Sequence, residues 1–240
     1  MCIIAYRPEN VTISTEILTE MFKSNPNGAG LTYAENGKLY IKKGFFTLEA
    51  FLEACSLVPV SSPCIYHCRI ATHGSIRKGT CHPFPLSANT ELLNAPSLVL
   101  NKGYAIAHNW IISKMDCSHD FSDSQAYVRD ILVPLSKVKS LHSPSLSAII
   151  EKTIDNSRLA IMDTKGKTSL FGRGWTVDNG VFYSNTSYKP VTYTRWKWDK
   201  DRHAYVSTDG KLLETYDDYD WESYHSIKNT LDTHGWEDGF

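Results

Sequence analysis

No apolar run in the sequence is long enough to cross a bilayer, so no membrane-spanning helix is expected. There is also no excess of charge of either sign. The 25 Lys and Arg against 26 Asp and Glu leave a formal charge of −1, and a chain without a basic excess has no field with which to collect nucleic acid or an anionic membrane. No basic stretch followed by an apolar segment opens the chain, so a secretory signal is not expected. Cysteine is sparse: the six residues Cys2, Cys55, Cys64, Cys68, Cys81 and Cys117 lack the spacing of a small disulfide scaffold. Reduced thiols in a cytoplasmic protein are the simpler expectation. No internal repeat is visible. What is present is ordinary globular composition, 42% hydrophobic and 21% charged over 240 residues, enough to bury a full core in one large domain.

Strand and helix patterns follow one another along the first 190 residues. "CIIAY" reads as a short buried strand. "STEILTEMFKSN" places Ile17, Leu18, Met21 and Phe22 on one helical face behind a Ser14 or Thr15 cap. "NPNGAG" is a turn, "LTYAENGKLYIKK" a hairpin about Asn36-Gly37, and "TLEAFLEACSLV" a helix capped by Thr47. "CIYHCRIA" is a strand leading into a polar loop, and "SLVLNKGYAIAHNW" is predicted to be a hairpin turning at residues 101–103. "FSDSQAYVRDILVPL" is a helix opened by the capping box Ser122-x-x-Gln125. "SLSAIIEKT" adds another helix, "SRLAIMDTKGKTSLFG" a hairpin about Lys165-Gly166, and "GVFYSN" a strand. Hairpins predominate, so an α+β protein with mostly antiparallel sheets and helices laid on them is expected.

Composition changes after Pro190. Residues 191–240 are rich in Trp and Tyr, with about eleven acids against about six bases. This acidic, aromatic extension reads as an appendage, either a solvated tail or a segment that docks on a partner through its aromatic side chains.

Five positions could carry chemistry. Cys2 stands behind the initiator methionine. It is either a small buried hydrophobe or a nucleophile whose own α-amine, once Met1 is removed, serves as its base. Arg69, in the apolar run "YHCRIATHG", is either an edge-strand side chain reaching water or a fork that grips a carboxylate. Asn109 in "HNW" is either a turn residue or an amide donor that, with the backbone N–H of Trp110, holds an oxyanion. Asp123 falls in the first turn of a helix, where the dipole keeps it ionised, and simple helix-start chemistry is its ordinary reading. Cys64, His67, Cys68, His73, Cys81 and His82 fit no standard zinc spacing, and strand alternation sends Cys64 and His67 to opposite faces, so no metal is expected.

Taken in order, these cues resemble a class II glutamine amidotransferase domain. Such a domain has an N-terminal Cys, an N-x-(D/N)-G-x-G turn, H-x-R-x-A-T-H-G, H-P-F, a strand ending H-N-G and a D-(S/T)-E-like helix start. The chain has Cys2, "NPNGAG", "HCRIATHG", "HPF", "AIAHNW" and "SDSQ" in that order, followed by "FGRGW" and "GVFYSNTSY". The resemblance covers residues 1–190 and leaves out 191–240. It implies an N-terminal nucleophile hydrolase fold, a four-layer α-β-β-α sandwich of two mostly antiparallel sheets. Cys2 would attack the glutamine side-chain amide, and Asn109 with the Trp110 N–H would hold the oxyanion. Arg69 would take the substrate carboxylate and Asp123 its ammonium, with Thr72, His73 and Gly28 lining the pocket. No cofactor is implied. The ligand would be glutamine or a γ-glutamyl compound, and a separate synthetase or other ammonia-accepting protein would use the product.

Two residues depart from the pattern. Trp110 replaces the family's glycine, a strained substitution if that position needs φ > 0. Ile70 replaces a common aromatic. Both point to an alternative substrate, a larger γ-glutamyl amide. A second alternative is an inactive, amidotransferase-like binding protein that retains Met1.

Overall fold

The computed structural model describes residues 2–71, 75–113, 115, 118, 121–190, 196–199 and 204–207. The chain divides into two compact units, Met1–Pro190 and Val191–Phe240. The described part of the second is one antiparallel hairpin, with Trp196–Asp199 paired to Ala204–Ser207.

The first unit opens with β1 (Ile3–Arg7), α1 (Thr15–Ser24), β2 (Ala29–Glu35), β3 (Lys38–Phe45), α2 (Leu48–Ser56) and β4 (Cys64–Cys68). Local chemistry sets these boundaries as the sequence suggests. The Ser14 hydroxyl accepts the Ile17 N–H at 3.3 Å and the Thr47 hydroxyl accepts that of Ala50 at 3.3 Å, each satisfying a donor that a helix start leaves without a partner. Asn25 then stops α1 by turning its amide back onto the Met21 carbonyl at 3.1 Å, and Pro26 cannot continue the helix. β2 and β3 form the hairpin expected about Asn36-Gly37, both of which have positive φ.

The chain continues through β5 (Phe84–Pro85), α3 (Thr90–Asn94), β6 (Ser97–Leu100), β7 (Tyr104–Asn109), α4 (Asp123–Tyr127), α5 (Val133–Val138) and α6 (Pro144–Thr153). A π-helical turn over Val128–Leu132 joins α4 to α5. β8 (Arg158–Asp163), β9 (Thr168–Phe171), β10 (Thr176–Asp178) and β11 (Val181–Tyr183) complete the unit.

The strands form two antiparallel sheets. One runs β10-β11-β1-β4-β2-β3-β6 and the other β5-β7-β8-β9. β6 and β7 are therefore not a hairpin, contrary to the sequence expectation: β6 pairs with β3, while β7 pairs with β5 and β8. Residues 101–103 carry the chain from one sheet to the other. Alternation identifies each segment as a strand but not the source of its partner. Burial shows the difference, since Val99 of β6 is 53% exposed whereas Ala105, Ile106 and Ala107 of β7 are buried.

Three apolar clusters hold the unit together. One unites α1 and α2 with β1, β2 and β4 through Leu18, Met21, Phe22, Phe51 and Tyr66. A second takes Ile4, Ile41 and Ile65 from the larger sheet with Ala107, Ala160 and Met162 from the smaller. The third joins Ile106, Leu159 and Phe171 to Tyr127, Leu146 and Ile150 of the later helices. The small residues Ala105 and Ala107 of β7 and Ala160 of β8 pack in the cluster that the two sheets share. Buried Arg7 links β1 to the loop before β4. Its five N–H groups meet the carbonyls of Val11, Val60, Pro59 and Ser62 and the Tyr66 hydroxyl at 2.8–3.2 Å. Every donor of the guanidinium is thus occupied.

Candidate active site

β4 is central in its sheet, between β1 and β2, so the segment after it emerges beside the start of β1. Register places Ile3 opposite Cys68, which brings Cys2 next to the Ile70 region; the Cys2 thiol donates to the Ile70 carbonyl at 3.5 Å. Cys2, Arg69, Trp110 and Asp123 line one cavity of about 160 Å³, with His82 and His108 also in its wall. Four residues from four separate segments, named from sequence as site residues, therefore line one cavity.

Burial pushes the Cys2 thiol above its ordinary pKa, opposed by a backbone hydrogen bond at Ile70 and by the positive charges of Arg69 and the chain amine. The resting group is a thiol, and a base is needed at the moment it reacts. The Cys2 carbonyl accepts the Asn185 side-chain N–H at 2.7 Å, which fixes the backbone that carries the sulfur.

Arg69 is 5% exposed and lies beyond a central strand, so it is not an edge-strand side chain reaching water. Its Nη1 donates to the Ser75 carbonyl at 3.0 Å and the Thr80 hydroxyl at 3.2 Å. Its backbone N–H meets the Gly28 carbonyl at 2.8 Å. Gly28 does not line the cavity but supports Arg69 from below. Its φ is +119°, and a Cβ there would come 2.5 Å from Cys81 Sγ and 3.0 Å from Phe46. Both backbone and space therefore require glycine.

Asp123 opens α4 behind the Ser122–Gln125 capping box. One carboxylate oxygen accepts the Ile112 N–H at 2.9 Å and the other the Ser124 N–H at 2.7 Å. These contacts hold the carboxylate against the cavity wall and leave lone pairs to spare.

Trp110 has φ +105° and is 47% exposed at the cavity. The position does require positive φ, and tryptophan holds it at a cost of about 1–3 kcal/mol. The buried Asn109 does not itself line the cavity. Its Nδ2 lies 2.9 Å from Ser184 Oγ and its Oδ1 is buried without a partner. Thr72 and His73 lie outside the described residues.

No family model and no curated protein matches the chain.

The sequence alone assigns no role to Ser184, Asn185 or His108, and weighs His67 and His82 only as zinc ligands. Ser184 and Asn185 were visible only as the end of a closing strand, yet they brace Asn109 and Cys2. His67, His82 and His108 are buried together. The His67 and His82 ring centres lie 4.3 Å apart and those of His82 and His108 6.3 Å apart. Burial lowers His67 to about 3 and His108 to about 4, and holds His82 well below the usual imidazole range. Four of their ring nitrogens have no partner, each such buried group costing about 1–3 kcal/mol unless a ligand or water meets it. Among the described residues, no group of three or more His, Cys, Asp or Glu is placed to hold a metal ion.

Proposed function

We propose that this protein is a class II glutamine amidotransferase-type glutaminase with an N-terminal nucleophile hydrolase fold, its four layers being helices, the two antiparallel sheets and the later helices. The observation that carries the reading is the convergence of Cys2, Arg69 and Asp123 on one cavity. A thiol shares its cavity with a held cation and a held anion, which suits a zwitterionic amino acid carrying an electrophilic side chain. The ordered motifs of the sequence support the same reading.

In the form lacking Met1, the Cys2 α-amine is the base beside the thiol. It takes the thiol proton as sulfur bonds to the side-chain carbonyl carbon of glutamine. The tetrahedral oxyanion is met by the Trp110 N–H and, once its side-chain nitrogen leaves Ser184 and turns toward the cavity, by the Asn109 amide. The C–N bond then breaks, with the amine returning its proton to the leaving nitrogen, and ammonia departs from a γ-glutamyl thioester. Water adds to that thioester, the C–S bond breaks, and glutamate and the thiol are released. Arg69 holds the substrate carboxylate and Asp123 its ammonium throughout. The ammonia serves a separate acceptor protein.

Trp110 and Ile111, 47% and 41% exposed at the cavity, favour a second reading in which the γ-amide nitrogen bears a larger apolar group. Incubation with glutamine distinguishes the two. Equal release of glutamate and ammonia, abolished in Cys2→Ala, is expected. Faster turnover of N-substituted γ-glutamyl amides than of glutamine would establish the second reading instead.

A further inference from the structure

The Asp123 carboxylate is held by more than its two backbone contacts. The Ser124 hydroxyl lies 3.2 Å from Asp123 Oδ1, beside the Ser124 N–H at 2.7 Å, while Oδ2 takes the Ile112 N–H at 2.9 Å. A carboxylate only accepts, so the single hydroxyl hydrogen of Ser124 is given to Asp123. Three of about four lone-pair sites are then filled, and the one left is on Oδ2. A carboxylate gripped by three donors has one orientation, so that remaining site keeps one direction.

Behind Ser124 stands His108 of β7, whose Nδ1 lies 2.8 Å from Ser124 Oγ. Ser124 is 4% and His108 2% exposed, and both line the Cys2 cavity with Asp123. Burial lowers His108 to about 4, so near neutral pH the ring is neutral and carries one hydrogen. With that hydrogen on Nδ1, the ring donates to Ser124 and the hydroxyl donates onward to the carboxylate. With it on Nε2, the bare Nδ1 would draw the hydroxyl hydrogen to itself and leave an oxygen lone pair facing Asp123 Oδ1. Only the first arrangement satisfies both contacts, so a chain of donors runs from His108 Nδ1–H through Ser124 Oγ–H to Asp123. His108 is a firm base for it: its carbonyl accepts His67 Nε2–H at 3.1 Å, and its strand pairs it with Leu159 of β8.

We propose that Ser124 and His108 are positioning residues for Asp123, and that through them the site selects γ-glutamyl substrates whose α-amino group is free. The inference rests on the glutaminase reading above, in which Asp123 meets the substrate ammonium.

The test compares steady-state hydrolysis of glutamine and of glutaramate, the same amide without the α-amino group, by the full chain and its variants. Ser124→Ala should raise KM for glutamine about tenfold with kcat little changed, the loss expected for one hydrogen bond to a charged group. Glutaramate should be almost unaffected, so the preference for glutamine should fall by the same factor. Ser124→Thr, which keeps the hydroxyl, and His108→Asn, whose side-chain N–H stands in for Nδ1–H, should recover the preference. His108→Leu should repeat the Ser124→Ala result, and serves in its place where that variant does not fold. Equal losses for the two amides, a fall in kcat alone, or no rescue by Ser124→Thr would overturn the proposal and leave the chain as packing between β7 and α4. Equal hydrolysis of both amides by the unaltered protein would overturn it too. Hydrolysis of neither by the unaltered protein would defeat the glutaminase reading itself, and this inference with it.

Discussion

The Ser184 hydroxyl lies 2.9 Å from the Asn109 side-chain nitrogen while accepting the Ile4 backbone N–H at 2.8 Å. This links the end of β7 to the strand that carries Cys2. A hydroxyl has one hydrogen to give. Turning the Asn109 amide over lets Ser184 donate to Asn109 Oδ1, pairs an oxygen otherwise buried alone, and frees the amide nitrogen from Ser184 so that one of its hydrogens can meet an oxyanion. Ser184 is in this view a positioning residue for Asn109.

Ser184→Ala should lower kcat for glutamine at least about tenfold with KM little changed, approaching the loss of about 10²–10³ expected for Asn109→Ala. Ser184→Cys, which keeps a weak donor, should fall between. Steady-state kinetics on folded protein check this. A lowered melting temperature with unchanged kcat would reduce Ser184 to a structural bond to Ile4.

Trp110 stores strain that glycine would not. At φ +105°, Trp110→Gly should release about 1–3 kcal/mol of backbone strain. The greater freedom of glycine in the unfolded chain takes back about 0.4–1 kcal/mol. The melting temperature is expected to hold or rise, although an aromatic side chain is removed, and preference should move from large γ-glutamyl amides toward glutamine. A marked fall in melting temperature would mean that contacts of the indole outweigh the strain.

The buried histidines set an acid limit. Their folded pKa values, about 3 for His67 and about 4 for His108, lie below the ordinary 6.5. Between those values and 6.5 the unfolded chain binds protons that the folded one refuses, so stability is complete above 6.5 and falls as pH drops. Each group contributes about 1.4 kcal/mol per pH unit in that window. Urea unfolding from pH 7 down to pH 4.5 should show the decline, and a folded His82→Phe variant should show a shallower one. A flat profile would mean that the imidazoles are already protonated or partnered in the folded protein.

Much of the fold was legible because its signals are local. Ser14, Thr47 and Ser122 cap the helices expected of them, and Asn36-Gly37 and Lys165-Gly166 turn the expected hairpins. The β6–β7 assignment failed because partner choice is a tertiary property, invisible to alternation along one strand. At the site, Cys2 and Arg69 stood out because a thiol behind Met1 and a cation in an apolar strand are locally unusual, whereas Asp123 is an ordinary acid at a helix start and was singled out by its place in the ordered motifs. Ser184 and the histidines did not. A serine at the end of a strand and a histidine among apolar residues are commonplace, and their roles exist only once β1, β4, β7 and β11 are brought together.

The central claim is that Cys2 is a processed nucleophile in a glutamine-shaped cavity. The intact mass of the protein before and after incubation with diazo-oxo-norleucine, a glutamine-like alkylator, tests it most directly. The account predicts loss of Met1 and addition of a single adduct, with no adduct on Cys2→Ala. Retained Met1 and an unaltered mass would contradict it.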